Sequence, residues 1–252
     1  MGIITPTNKS VLDLKGLHLY HSAISNCSMR PRIVLEEKSL PWVSHHLDLL
    51  KGETHTPEYF GINPNGVVPT LVHDGVVIIE SDDIIEYLDE KFPQPPLRGA
   101  DAESRRVIHE WNKAATSIHV KAVKTFIYAN KMRSKLGMPK EALEDYRRRQ
   151  KNPELLEFHE KSSGGGFSDA EVARAHEILT GHFVRIEAAL KQHRYIVGDD
   201  FTLADIAWIP LHFTLIGATF DFGPYPAITK WAETINTRPS FQQGVLKWCP
   251  KF

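Results

Sequence analysis

Ser25 and Cys27, a hydroxyl and a thiol two positions apart, stand where a strand-like run turns into a helix-like run. The strand signal is Leu17-His18-Leu19-Tyr20. The helix signal is Arg32-Ile33-Val34-Leu35-Glu36-Glu37-Lys38, with the helix expected from Ser28 to Lys38. A helix N-terminus offers unpaired N–H groups and a partial positive charge, and both stabilise a thiolate. The stretch is suited to holding or activating sulfur.

Two further places supply ligand chemistry. Pro69 opens a strand directly before a hairpin, a position for an edge residue or a cis peptide bond. A cis bond there leaves the Val68 N–H and C=O free to pair with an extended thiol peptide. Ser81 lies at a helix N-terminus, where a carboxylate is welcome, and Glu80 beside it suits an ammonium group. Taken alone, Glu80-Ser81 reads as an ordinary helix cap. Joined to Ser25 and Val68-Pro69, it matches a ligand with an α-amino acid end and a thiol in its middle, which is the shape of glutathione.

The elements that position these residues follow from the pattern. Val43, His45, Leu47 and Leu49 alternate with polar residues as in a half-exposed strand. Asn63-Pro64-Asn65-Gly66 is a turn signal. Asp74-Gly75 between Thr70-Leu71-Val72 and Val76-Val77-Ile78-Ile79 predicts a two-residue hairpin. Ser81 then caps a helix with Ile84, Ile85 and Leu88 on one stripe. The order β-α-β then β-β-α is thioredoxin-like. Phe92 to Gly99 breaks structure and reads as a linker.

Beyond Ala100 the periodicity is helical. Arg133 to Gly166 is a polar stretch expected as a mobile insertion. Thr202-Leu203-Ala204-Asp205 has the form of a capping box, stapled by Phe201 and Ile206, opening an apolar helix through Ile216 that Pro210 should kink. The expected fold is therefore α/β plus all-α: a thioredoxin-like domain over 15–93 and a helical bundle domain over 100–252.

The chain has 252 residues, room for one large domain or two small ones. Its 42% hydrophobic and 24% charged content is that of a globular protein. A net charge of −1 leaves no electrostatic footprint for nucleic acid or an anionic membrane. Cys27 and Cys249 are the two cysteines, too few for a disulfide framework and fitting a reducing cytoplasm. No apolar run reaches the length of a membrane span. Met1 to Lys15 lacks an apolar signal core and reads as a short extension ahead of the first strand. The 13 histidines are scattered, with His45-His46 the one adjacent pair, so no metal site is expected.

At this point the motifs carry a resemblance over about residues 17 to 249. Ser25-Asn26-Cys27-Ser28-Met29-Arg30-Pro31-Arg32 resembles the Ser-Ser-Cys-Ser-Trp-Arg-Val-Arg signature of zeta-class cytosolic glutathione transferases. Asn63-Pro64 through Val68-Pro69-Thr70-Leu71 resembles the family's cis-proline loop, and Glu80-Ser81 with Ile84 to Leu88 its γ-glutamyl-binding turn. Phe201 to Asp205 resembles its C-domain capping box, and Tyr225-Pro226, Trp231 and Arg238-Pro239-Ser240-Phe241 its last helices. Two bacterial branches are most similar: the β-aryl etherases of lignin catabolism, which share the long insertion, and the tetrachlorohydroquinone reductive dehalogenases, which share Ser-x-Cys-Ser-Met.

The resemblance implies glutathione as co-substrate, a homodimer, and glutathione contacts from Val68, Pro69, Glu80, Ser81, Lys51 and His55. It implies that the Ser25 hydroxyl donates to the sulfur and lowers its pKa from about 8.5. Arg30 would add positive charge nearby, although an arginine in a first helical turn is more often solvated. Cys27 is either a packed side chain or a second thiol, required only if a glutathione conjugate must be reduced by thiol–disulfide exchange. The electrophile's pocket is expected between the domains, lined by Ile24, Trp111, Ile118, Tyr128 and Trp208, with Trp248 a further candidate, although any single aromatic more often packs in a core. The leading function is a transferase or lyase attacking an aromatic substrate, with β-aryl ether cleavage foremost. The alternatives are a reductive dehalogenase using Cys27, a zeta-type cis–trans isomerase of a small dicarboxylate (which needs cations in the pocket), and a non-catalytic glutathione-binding interaction protein.

Overall fold

The computed structural model describes residues 2–133 and 137–249. Its first domain is built on a mixed sheet in the order β1-β5-β4-β2-β3. The strands are β1 (Ile3–Ile4), β2 (Leu17–His21), β3 (Trp42–His46), β4 (Thr70–His73) and β5 (Val76–Ile79). β2 and β3 are parallel, joined by the crossover helix α1 (Asn26–Glu37). β4 and β5 form the expected hairpin, with His73 opposite Val76 and both Asp74 and Gly75 at positive φ, as a tight two-residue turn demands.

Side-chain alternation sorts the sheet's two faces. Leu19, Leu71 and Ile78 lie in register and are buried with Ile33 of α1 and with Ile84 and Leu88 of α3 (Ser81–Lys91). Val72 and Val77 point to the opposite face, where they pack with Val11, Tyr59, Ile62 and Val68. Tyr59 belongs to the short helix α2 (Pro57–Phe60). The N-terminal extension is therefore part of the domain. Ile3 pairs with Ile78 and Ile4 with Val77, while Val11 is buried.

The linker is held on several sides. Lys38 pairs with Asp89 at 2.7 Å and donates to Pro95 O at 2.6 Å, and the Leu97 carbonyl accepts from Leu203 N–H. The helical domain follows: α4 (Ala102–Ser117), a π-helical run His119–Lys124, α5 (Thr125–Ile127), and a second π-helical run Tyr128–Met132. Then come α6 (Lys140–Arg149), α7 (Pro153–Ser163), α8 (Asp169–Leu190), α9 (Leu203–Ile216), α10 (Pro226–Asn236) and α11 (Pro239–Gly244).

α9 is the buried axis of this domain, as its sequence requires. The Thr202–Asp205 capping box forms, and α9 continues through Pro210 as one element. Asp205 also accepts from Ile196 N–H and from the Trp231 indole, so one carboxylate ties three segments together. The expected mobile insertion differs most from the structure. Apart from residues 134–136, which lie outside the described residues, it carries α6 and α7, with Tyr146, Leu155, Phe158 and Ser162 buried.

Candidate active site

Ser25 is the N-cap of α1. Its Oγ accepts the Ser28 N–H at 3.2 Å, and the helix begins at Asn26, two residues earlier than expected. Accepting through a lone pair leaves the hydroxyl proton free to donate. Cys27, one helical position in, is buried. Burial pushes its thiol up, opposed by the charge of Arg30 and by a hydrogen bond with Ser81.

Arg30 is not solvated. It is fully buried and donates to Ala207 O (3.0 Å), Ser81 Oγ (2.8 Å), Thr116 Oγ1 (3.0 Å) and Ala115 O (3.3 Å). One guanidinium thus fastens α1 to the start of α3, to α4 and to α9. All of these acceptors are neutral.

The Val68-Pro69 bond is cis, and Val68 N–H and C=O have no hydrogen-bond partner among the described residues. The loop ahead of them is held by Tyr59 and Asn63, which both donate to Val67 O at 2.8 Å and both meet the Thr70 hydroxyl. Gly66 sits at φ 59°, and a Cβ there would lie 2.6 Å from the Phe60 ring. Glu80 caps α3 at φ 64°, ψ 120°, a conformation that costs a non-glycine residue about 1–3 kcal/mol. Asn65 Nδ2 holds its carboxylate at 3.0 Å. Cys27 of the Ser25 turn thus meets Ser81, and the turn residue Asn65, three residues before Val68, meets Glu80.

Lys51 stands outside this group, with its side chain 74% exposed and its ammonium 3.6 Å from Asp48. His55 is drawn into the interdomain surface, its ring 4.9 Å from that of Tyr146 and 5.3 Å from that of His159. Burial, with the charge of Lys124 adding to it, lowers His55 to about 4.

The expected pocket lining needs correcting. Trp208 is fully buried in the helical core and donates to Trp111 O, with the two indoles edge to face at 5.8 Å. Arg185 covers the Trp111 ring at 4.8 Å. Ile118 is buried in the same core, and Tyr128 is buried with its hydroxyl on Ser162 O, pinning α7. Ile24 remains exposed beside Ser25. Trp248 packs on His21 and Trp42 and under the Arg32 guanidinium. Trp111 and Trp208 thus pack within the helical domain, while Trp248 joins the chain's end to the first domain.

The π-helical run brings Lys124 toward Cys27, and the insertion meets the His55 loop. Lys124 lies 4.5 Å above the Phe158 ring, and its charge is felt by Cys27, His55, His119 and His159. Gln150 donates to Asn65 O at 2.9 Å and to the Tyr146 hydroxyl at 2.8 Å. The insertion is thus a strap laid across the first domain beside Glu80 and His55. No sequence signal marked Lys124 or His119, because a π-helical turn shifts side chains out of the 3.6-residue register. Among the described residues, no cluster of three or more metal-ligating side chains is placed to hold an ion, and no helix is long and apolar enough to cross a membrane.

A thioredoxin-like unit with a cis-proline loop and a helix-capping serine, joined to a helical domain, is the architecture of a two-domain transferase for a thiol tripeptide. The family models agree: residues 19–96 match the glutathione S-transferase N-terminal domain and 139–239 the C-terminal domain. The chain belongs to the glutathione S-transferase family, with glutathione as its co-substrate. It is 32% identical to a zeta-class glutathione S-transferase of Euphorbia esula, over 91% of this chain and 89% of that protein. It is 32% identical to a probable maleylacetoacetate isomerase of Caenorhabditis elegans, over 88% and 90%. The solved β-etherase LigF of Sphingobium superposes with a TM-score of 0.83 at 28% identity, over 92% of this chain and 99% of that one.

Proposed function

We propose that this protein uses a Ser25-activated glutathione thiolate to attack an aromatic substrate, with cleavage of a β-aryl ether as the leading reaction. The observation that carries the reading is the likeness to the β-etherase LigF, which extends over both domains. In this reading the cysteinyl backbone of glutathione pairs with Val68 N–H and C=O. Its γ-glutamyl carboxylate meets the start of α3 at Ser81, and its ammonium meets Glu80. The Ser25 hydroxyl and the α1 N-terminus hold the sulfur as thiolate. The sulfur attacks the carbon bearing the aryloxy group. The C–S bond forms, the C–O bond breaks with its pair going to oxygen, and the released phenolate takes a proton.

The buried, upshifted thiol of Cys27 speaks against the reductive branch, which needs that sulfur as a nucleophile. A second reading, isomerisation of a small unsaturated dicarboxylate, is favoured by the cation Lys124 and by the isomerase relative. We place the protein as a cytoplasmic homodimer on the family resemblance. The test is direct. Incubation with glutathione and a model β-aryl ether should release the phenol and leave a glutathione thioether. Turnover of maleyl-type acids with no ether cleavage would replace the first reading by the second.

A further inference from the structure

Lys124 is a half-buried cation without an anion. Among the described residues its ammonium has no hydrogen bond and no ion pair, only the face of the Phe158 ring at 4.5 Å. The titratable groups that feel its charge come from the elements packed around it. They are Cys27 at the start of α1, His55 ahead of α2, His119 within its own π-helical run, and His159 on α7. None of the four is a carboxylate. Arg30, the next cation, also acts on Cys27 and His119, and its own hydrogen bonds end on neutral oxygens.

The surroundings are short of partners too. His119 Nδ1 and His159 Nδ1 are buried and make no hydrogen bond among the described residues. Buried charges are ordinarily paired, and buried polar atoms ordinarily bonded. Here an ammonium and two ring nitrogens are left over at one place, where the sulfur-activating turn, the His55 loop and the strap converge. An anionic oxygen would satisfy them together.

We propose that Lys124, flanked by His119 and His159, is the seat of an anionic oxygen carried by the reactants. This rests on the glutathione-transferase reading of Ser25, Val68 and Ser81. The oxygen has two chemical sources: the glycine carboxylate of glutathione, or an acidic oxygen on the electrophile. The phenolate released by ether cleavage and the carboxylate of an unsaturated acid both belong to the second source. Lys124 is the specificity residue for that charge.

The test compares the wild type with Lys124→Met, which keeps the stem over Phe158, and Lys124→Arg, which keeps the charge. Calorimetry measures binding of glutathione and of its glycine ethyl ester. With glutathione saturating, it then measures binding of nitrobenzoate and of neutral nitrobenzene. Loss of one charge-assisted hydrogen bond is worth about tenfold. Lys124→Met should weaken glutathione about tenfold while sparing the ester, which assigns the glycine carboxylate. Otherwise it should weaken nitrobenzoate about tenfold while sparing nitrobenzene, which assigns the electrophile. Lys124→Arg should recover most of either loss. If the variant binds all four ligands as the wild type does, the assignment to Lys124 is overturned and the glutathione site stands. If the wild type binds neither form of glutathione, the underlying reading falls, and this assignment with it.

Discussion

The Arg30 guanidinium donates to the Ser81 hydroxyl across 2.8 Å, so α1 and the start of α3 share one buried cation. Arg30 lies five residues beyond Ser25 and one turn beyond Asn26, and its remaining bonds reach α4 and α9. The two halves of the proposed glutathione site are thereby fixed to each other and to the second domain.

Replacing Arg30 by methionine should destabilise the fold by about 3 kcal/mol, since it strands the buried carbonyls of Ala115 and Ala207. Urea unfolding measures this. An unchanged midpoint would show that these bonds contribute nothing net.

Ser25 caps α1 and, in the proposed mechanism, donates to the sulfur, and the two roles are separable. Ser25→Ala should lose about 1 kcal/mol of stability with the cap and roughly a hundredfold in kcat/KM with the hydroxyl. Ser25→Asp can accept the Ser28 N–H but donates nothing at neutral pH, so it should keep the stability and lose the rate. The acid limb of the pH–rate profile, where the thiol ionises, should move up toward about 8.5 in both variants. Full activity in Ser25→Asp would remove the hydroxyl from the mechanism.

Cys27 should behave as packing. Its thiol is held protonated by burial, so iodoacetamide at neutral pH should label the half-buried Cys249 well before Cys27 in the native protein. Cys27→Ala should leave ether cleavage within a few-fold of the wild type. Rapid native labelling of Cys27, read by peptide mass spectrometry, would reopen the reductive branch.

Acid should release the strap first. His55 is lowered to about 4 and His159 to about 2, mainly by burial, so both are neutral in the folded protein at neutral pH. In the unfolded or opened chain they protonate near about 6.5. The open state therefore binds more protons as pH falls. Stability present above about pH 6.5 is lost progressively toward about 4. Amide exchange in α6 and α7 should accelerate over that window while α8 stays protected. Uniform exchange across the helical domain would contradict a local opening.

How much was legible in the sequence depends on the range of the interactions. Asp74-Gly75 and Thr202 with Asp205 are local signals whose geometry is set within a few residues, and each forms in the structure. Core packing is the commoner fate of any single indole, but the sequence cannot sort Trp111 and Trp208, because an indole carries the same apolar signal whether it packs on a neighbour or on a ligand. Arg30 looked like a surface charge, since its acceptors lie 51 to 177 residues away. α6 and α7 were hidden by charge: the buried Tyr146, Leu155 and Phe158 are thinly spread among arginines, lysines and glutamates.

Asn65 is a joint in this molecule. Its side-chain amide holds Glu80 and its carbonyl holds Gln150 of the strap. Whatever displaces one contact strains the other, and linkage makes the effect run both ways. A ligand ammonium that draws Glu80 toward itself is therefore announced to the strap through a single turn residue. In the proposed site, the strap and the anchor of the ligand ammonium hang from the same turn residue.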